Sequence, residues 1–246
     1  MSQKLTLNKK EIVSKFLTPI SKITEKCILT AQQNHISALT NVDDGSIILY
    51  AKYITSTQLP EGTVLQLNVP DVKKLGRMLE CIDTDTIEID SNSNNLAYES
   101  NTLKFKYHLL EEGVMQKAVI SVDKITKLTF DTSFTLTNAK LDGILKASSF
   151  TTQSNKLYFY TKDNKMYGEL TDRTMQNIDS VDFSIADSFT GTEIKQVIPI
   201  NLDTLRMLNG TQTDILVKIN TQIKVLMFEI NNNNVMLKYI ISALSK

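Results

Sequence analysis

Leu5-Thr6-Leu7, followed by Asn8-Lys9-Lys10-Glu11-Ile12-Val13-Ser14-Lys15-Phe16-Leu17-Thr18-Pro19-Ile20-Ser21-Lys22-Ile23, decides how the whole chain is read. A strand-like triplet feeds directly into an amphipathic run. At 100° per residue, Ile12, Val13, Phe16, Leu17, Ile20 and Ile23 share one arc. Lys10, Ser14, Lys15, Thr18, Ser21 and Lys22 fall opposite, with Glu11 the one acid of the run. About 130 residues later the plan returns, as Phe134-Thr135-Leu136 leads into Asn138 to Ser149.

The repetition continues outward from these two stretches. A second helical pattern opens after Leu67-Asn68-Val69 and covers Asp71 to Ile82; its counterpart opens after Pro199-Ile200 and covers Asn201 to Asn209. Each is followed by alternating apolar and polar segments. In the first half these are Thr86 to Asp90, Leu96 to Glu99 and Thr102 to Leu109. In the second they are Asp214 to Ile219, Ile223 to Ile230 and Val235 to Ile241, with the turn Asn231 to Asn234. Alternation with Asn or Gly at the joints predicts antiparallel hairpins with one wet face. The order strand, helix, strands, helix, strands occurs twice, which makes the chain α+β. The expected division is domain 1 over residues 1–110, a partly extended connector over 111–128, and domain 2 over 129–246.

Composition excludes several functions. Lys plus Arg and Asp plus Glu both total 27, so the formal charge is zero and no bulk basic excess is available to grip nucleic acid. Any such role has to rest on where the charges sit. No run of eighteen apolar residues is present, and Met1-Ser2-Gln3-Lys4 does not open a signal peptide, so a cytoplasmic protein is expected. Cys27 and Cys81 are expected to be buried, reduced thiols. His35 and His108 lie in strand-like segments without ligands at metal spacing, and the chain contains no glycine-rich phosphate loop. Asp43-Asp44-Gly45 precedes an apolar run and is a turn rather than a calcium loop. No active site, metal or cofactor is expected. With no tryptophan and 7% aromatic residues, stacking platforms for single strands are also lacking.

The charges on the four helical stretches are sorted. The bases Lys9, Lys10, Lys15, Lys22, Lys73, Lys74, Arg77, Lys140, Lys146 and Arg206 stand against the acids Glu11, Asp71, Glu80, Asp142 and Asp203. The rest of a neutral chain is correspondingly acidic. Solvated helix faces ordinarily mix signs to gain i,i+4 pairs. If the four helices share a surface, it suits a phosphate backbone held without base readout. Ser14, Thr18, Ser21, Gly76 and Gly143 are small enough to let water and phosphates approach.

The duplicated β-α-β plan and the basic helices resemble sliding clamps of the proliferating-cell-nuclear-antigen type, and T-even-type bacteriophage clamps in particular. His35 to Asp44 followed by Ile47 to Ala51 is similar to their early strand pair. Asn164 to Tyr167 and Ser180 to Ile185 resemble the middle of the phage clamps' second domain, and Leu237 to Ile241 the closing strand of cellular clamps. The chain end, Ser242 to Lys246, lacks the proline that follows in cellular clamps.

The resemblance implies a duplicated DNA-clamp fold, two similar domains each with antiparallel sheets and two helices, assembling as a ring. Two domains per chain imply a homotrimer. The implied function is non-catalytic: encircling duplex DNA in the lumen and tethering a replicative DNA polymerase, with a clamp loader as a further partner. Lys10, Lys15, Lys22, Lys73, Lys74, Arg77, Lys140, Lys146 and Arg206 are then expected to meet phosphates. The implied subunit contact joins Leu103, Phe105 and Tyr107 to Val181, Phe183 and Ile185. Partner tails are expected over Val114, Met115, Val119, Ile120, Ile241, Ala243 and Leu244, unless these apolar side chains only seal the connector to its sheet. A monomeric processivity factor and a β-rich virion scaffold are the competing readings. Neutral net charge disfavours the first, and one-sided lysines disfavour the second.

Overall fold

The computed structural model describes residues 3–57, 59–92, 94–115, 118, 120–151 and 154–244. The chain forms two compact units, residues 1–126 with 231–237, and residues 127–230 with 238–246.

The first unit runs β1 (Gln3–Asn8), helix α1, β2 (Cys27–Gln32), β3 (His35–Asn41), β4 (Ile47–Ile54), β5 (Val64–Val69), α2 (Val72–Glu80), β6 (Thr86–Ser91), β7 (Asn95–Glu99), β8 (Lys104–His108) and α3 (Val122–Thr126). Two antiparallel strand runs result, β1-β6-β7-β8 and β4-β3-β2-β5. The alternation seen in the sequence is the alternation of burial: in β2, Cys27, Leu29 and Ala31 are buried while Ile28, Thr30 and Gln32 are half-buried on the other face. Register keeps the faces aligned, with Leu29 opposite Ala38 and Leu67.

Helix α1 departs from the regular helix its sequence predicts. Glu11–Leu17 is π-helical and Thr18–Ser21 is α-helical. The Thr18 N–H and Oγ1–H both donate to the Val13 carbonyl, five residues back. Apolar residues at 12, 13, 16, 17 and 20 still make a single buried stripe, and the Phe16 ring packs 6.1 Å from that of Tyr53. Helix α2 starts as its sequence predicts, with Asp71 accepting from the Lys74 N–H at 2.7 Å as N-cap. Its buried stripe is Val72, Leu75 and Leu79. Gly76 is buried too: a Cβ there would lie 3.9 Å from Val13 Cγ1, so this glycine belongs to the helix–helix contact and not to the wet face.

The second half of the chain repeats the order: β9 (Thr132–Leu136), α4 (Asn138–Ala147), β10 (Lys156–Lys162), β11 (Lys165–Leu170), β12 (Val181–Ala186), β13 (Thr190–Gly191), β14 (Ile198–Asn201), α5 (Leu202–Met207), β15 (Ile215–Asn220), β16 (Val225–Asn232) and β17 (Val235–Ser242), with residues 231–237 of the last hairpin counted in the first unit and the rest in the second. Its strand runs are β12-β11-β10-β14 and β13-β9-β15-β16-β17. Thr137 and Asn201 cap α4 and α5, accepting from Lys140 N–H and Asp203 N–H. Phe134 and Phe159, rings 5.7 Å apart, join the two layers. Apart from the two-residue β13 and the turn of α3, each element has a counterpart in the other unit.

Three expectations need correction. The connector is not extended at Val122: residues 122–126 coil into α3, with Lys124 and Ile125 N–H bonded to the Ser121 carbonyl and Ile125 buried. Cys27 is buried, which pushes its thiol up to about 12, but Cys81 is exposed at the end of α2, its Sγ bonded to the Arg77 carbonyl. The regular helix expected from residue 8 is α-helical at Lys9 and Lys10 but π-helical over Glu11–Leu17. The Asp43–Gly45 turn forms as expected, Gly45 at φ 70° and the Ser46 N–H on Asp44 Oδ1.

Candidate nucleic-acid interface

Each amphipathic helix buries its apolar stripe in its own unit, which turns its bases outward. Lys10, Lys22, Lys73, Lys74, Arg77, Lys140, Lys146 and Arg206 are exposed and Lys15 is half-buried. Among the described residues, the side chains of Lys10, Lys73, Lys74, Arg77, Lys140 and Lys146 make no hydrogen bond or ion pair. The ion pairs that do form lie mostly on strands and loops: Lys4–Glu88, Lys104–Glu99, Lys156–Asp172, Lys165–Asp187, Arg173–Glu169 and Lys218–Glu229.

Two bases of the set, and Lys9 beside them, have partners within the protein. Lys15 Nζ donates to Asn232 Oδ1 at 2.9 Å within the first unit. Arg206 pairs with Asp203 at 2.5 Å and bonds Asn155 Oδ1, so its charge is largely answered inside the second unit. Lys22 is exposed by surface area, yet the atoms packed around its ammonium displace enough water to lower it below the ordinary lysine value. Lys9 caps the end of α2 through the Ile82 carbonyl at 2.7 Å.

The free bases sit against local helix energetics. Neither α2 nor α4 has an acid in its first turn, where Lys73, Lys74 and Lys140 stand. A cation there opposes the helix macrodipole at a cost of about 0.3–1 kcal/mol. Lys73 and Arg77, four apart, repel by about 0.2–0.5 kcal/mol. Gly143, in the middle of α4, has nothing within 4 Å of where a Cβ would stand, so no packing inside the protein accounts for it. Such a surface favours an external polyanion over the isolated protein.

A second feature lies in the first unit. A groove of about 450 Å³ is lined by Ile28 and Thr30 of β2, Leu39 of β3, Gln66 of β5, and Ala118, Ile120, Ser121 and Lys124 of the connecting segment. Sequence reasoning found Ile120 but missed the floor; the signal was Ile28 and Leu39, apolar residues at outward positions of half-buried strands. Val114 is exposed and Met115 half-buried, while Val119 lies outside the described residues. In the second unit Ile241 is buried in the core, so its side chain is not available to a partner. Ala243 and Leu244 are half-exposed, tied by their N–H groups to the carbonyls of Lys224 and Pro199.

The strands expected at a subunit contact, β8 and β12, are both terminal in their sheets, each with one unpaired edge. Leu103, Phe105, Val181 and Phe183 are half-buried. Tyr107 and Ile185 are buried. The Tyr107 hydroxyl accepts from the Asp71 N–H at 3.0 Å and donates to the Asp71 carbonyl at 2.7 Å, and burial pushes it up to about 12. Those two residues face their own cores and bring only their backbones to the edge. Among the described residues no group of three or more His, Cys, Asp and Glu side chains is placed to hold a metal. No helix among them is long and apolar enough to cross a membrane.

No protein-family model and no curated protein sequence matches the chain. Solved structures do. An A. fulgidus PCNA, solved with the C-terminal region of FEN-1 bound, superposes with a TM-score of 0.79 at 11% identity, over 100% of this chain and 99% of that one. The proliferating cellular nuclear antigen of Entamoeba histolytica gives 0.74 at 11%, over 98% of both chains. The chain has the sliding-clamp fold. A third clamp-fold match, a Eubacterium rectale protein assigned as a DNA polymerase III beta subunit, gives 0.72 at 13%, over 99% of this chain and 66% of that one. The α+β class and the duplication expected from the sequence agree with this fold.

Proposed function

We propose that this protein is a non-catalytic DNA sliding clamp. Three copies close a ring, duplex DNA passes through it, and a replicative polymerase rides on it. The observation that carries the reading is the set of exposed helix bases without a protein partner on a fold shared with clamps. Counterion release makes such bases favourable on a phosphate backbone, and lysine, a point charge, holds phosphates without fixing register. A ring is kept on DNA by topology, so each contact can be weak and water-mediated, which permits sliding. The stretches 164–167 and 180–185 that resemble phage clamps favour a phage-type replication system, with its own loader, as the setting.

Topology supplies the test. Loaded on a nicked circular duplex, the labelled protein is expected to co-elute with the circle, and to be lost once a restriction enzyme linearises it. Equal retention on circular and linear DNA, or none on either, defeats the clamp reading.

Within this reading, the groove under the connector takes an apolar anchor from a partner tail, since buried apolar anchors carry most of the affinity of such contacts. Ile120→Asp should weaken binding of the cognate polymerase, read by surface plasmon resonance, by more than about thirtyfold. The melting temperature should hardly move, because Ile120 is only half-buried. A lowered melting temperature with unchanged affinity would mean that Ile120 only seals the connector to the sheet.

A further inference from the structure

In the second unit a cavity of about 280 Å³ lies where β9, the start of α4 and the end of β12 meet. Thr135, Thr137, Lys140, Ser184, Asp187 and Ser188 supply its polar lining, with Ile185 and Ala186 beside them. Water takes up about 30 Å³ per molecule, so the space holds several waters or one sugar-phosphate unit. Its polar groups are mostly uncommitted. The hydroxyls of Thr135, Ser184 and Ser188 have no hydrogen-bond partner among the described residues, and neither has the Lys140 ammonium. Of the four hydroxyls Thr137 alone is used, its Oγ1 accepting the Lys140 N–H at 3.3 Å.

We infer that this cavity is a phosphodiester subsite, in which Lys140 and the Thr135, Ser184 and Ser188 hydroxyls hold one backbone phosphate of duplex DNA. The inference rests on the clamp reading above, and goes beyond it by giving one phosphate a defined seat. Hydroxyls rotate to donate, so three of them around an ammonium suit the several acceptor oxygens of a phosphate better than a single carboxylate. Lys140 shares α4 with Lys146, so the seat continues the row of unpaired bases. Asp187 is the one acid in the lining. It lies 3.7 Å from Lys165 and is 93% exposed, so its charge is partly answered and turned to solvent. It opposes an anion nonetheless, which keeps the seat weak enough for a protein that must move along DNA.

The seat also touches β12, whose outer edge is unpaired. A phosphate bridging Lys140 to Ser184 and Ser188 ties that strand's end to α4.

The test uses the full chain, uniformly ¹⁵N-labelled and deuterated, with TROSY amide spectra recorded at low salt against a blunt 20-base-pair duplex and, separately, sodium phosphate. Duplex is expected to shift the amides of Thr137, Lys140, Ser184 and Ser188 together with those of Lys73, Lys74 and Arg77. Lys140→Ala should abolish the first group, leave the second, and lower the slope of log K against log salt by about 0.9, one phosphate's share. Asp187→Asn should tighten binding by up to about tenfold, since it removes the one repulsive group. If the duplex shifts Lys73, Lys74 and Arg77 but leaves the cavity amides in place, the seat is refuted and the clamp reading stands. If phosphate shifts the cavity amides and the duplex does not, the ligand is a free anion and the DNA assignment of the cavity is overturned. If the duplex shifts neither group, the clamp reading fails, and this inference with it.

Discussion

Replacing Lys73, Lys74 and Arg77 together, as Lys73→Glu, Lys74→Glu and Arg77→Glu, is expected to abolish stable retention on nicked circular DNA while leaving the fold intact. All three side chains are exposed, and none has a protein partner among the described residues. Surface substitutions of this kind usually stay within about 0.5 kcal/mol of the parent. The helix itself is nearly indifferent: glutamates at 73 and 74 suit its N-terminus, and a glutamate at 77 sits less well in its last turn. DNA is not indifferent. Each phosphate contact contributes about 0.9 to the salt slope, so the loss of three lowers it by roughly 2.7, and reversal adds repulsion where attraction was. The half-life on the circle and the length of primer-extension products both report this. A triple variant that supports normal processive synthesis at physiological salt would show that α2 does not face DNA. An unfolded one would be revealed by its melting temperature before any DNA is added.

Much of this was legible in the sequence, and the rest was hidden for identifiable physical reasons. Duplication was readable because turn residues and two distinct periodicities recur in the same order, and each burial stripe then followed from spacing. The π-helical turn was not readable. Apolar residues at 12, 13, 16, 17 and 20 satisfy i→i+4 and i→i+5 bonding alike, and the backbone bonding, Thr18 to Val13 for one, separates them. Helix α3 was missed because Val122, Asp123, Lys124 and Ile125 favour no helix strongly; the burial of Ile125 decides the turn. Gly76 and Gly143 are alike in sequence, yet one lies against Val13 and the other against nothing, a difference that belongs to packing. The same holds for the candidate sites. Lys73, Lys74 and Arg77 were found from helical phase alone. Thr135, Ser184 and Ser188 meet only because β9 and the end of β12 are brought to one cavity across some fifty residues of chain. Arg206 had the right phase, but its neighbour Asp203 takes the charge.

Phe105→Pro and Phe183→Pro are each expected to convert the protein from trimer to monomer in sedimentation velocity, and mixing the two variants should give a dimer. The internal duplication carries the argument. Element by element, β8 corresponds to β17 and β12 corresponds to β4. Within the first unit the chain entering β17 already bonds the end of β4, the Asn234 carbonyl accepting from the Ile54 N–H at 2.8 Å. Among the described residues the outer edges of β8 and β12 have no strand beside them, and open edges are avoided when a partner can complete the ladder. Their side chains are compatible, although Lys104 already pairs with Glu99 and Asp182 accepts from the Tyr160 hydroxyl. Lys104, Lys106 and His108 line the exposed face of β8, whereas β12 exposes Asp182, and Phe105 and Phe183 stand half-buried on the opposite faces. Pairing one edge with the other is head-to-tail, so the contact is heterologous and closes only as a ring. Proline bends the edge and removes a ladder donor. The Phe105 N–H shares the phase of the 94/109 and 100/103 bonds and points to β7, so that variant also loses stability in its own sheet, and the melting temperature of each variant is measured before sedimentation. The Phe105→Pro chain keeps an intact β12, and the Phe183→Pro chain keeps an intact β8. Together they can form one joint but not a second, which limits them to two chains. Either variant sedimenting as a trimer would refute the pairing, as would a mixture of stably folded variants that stays monomeric.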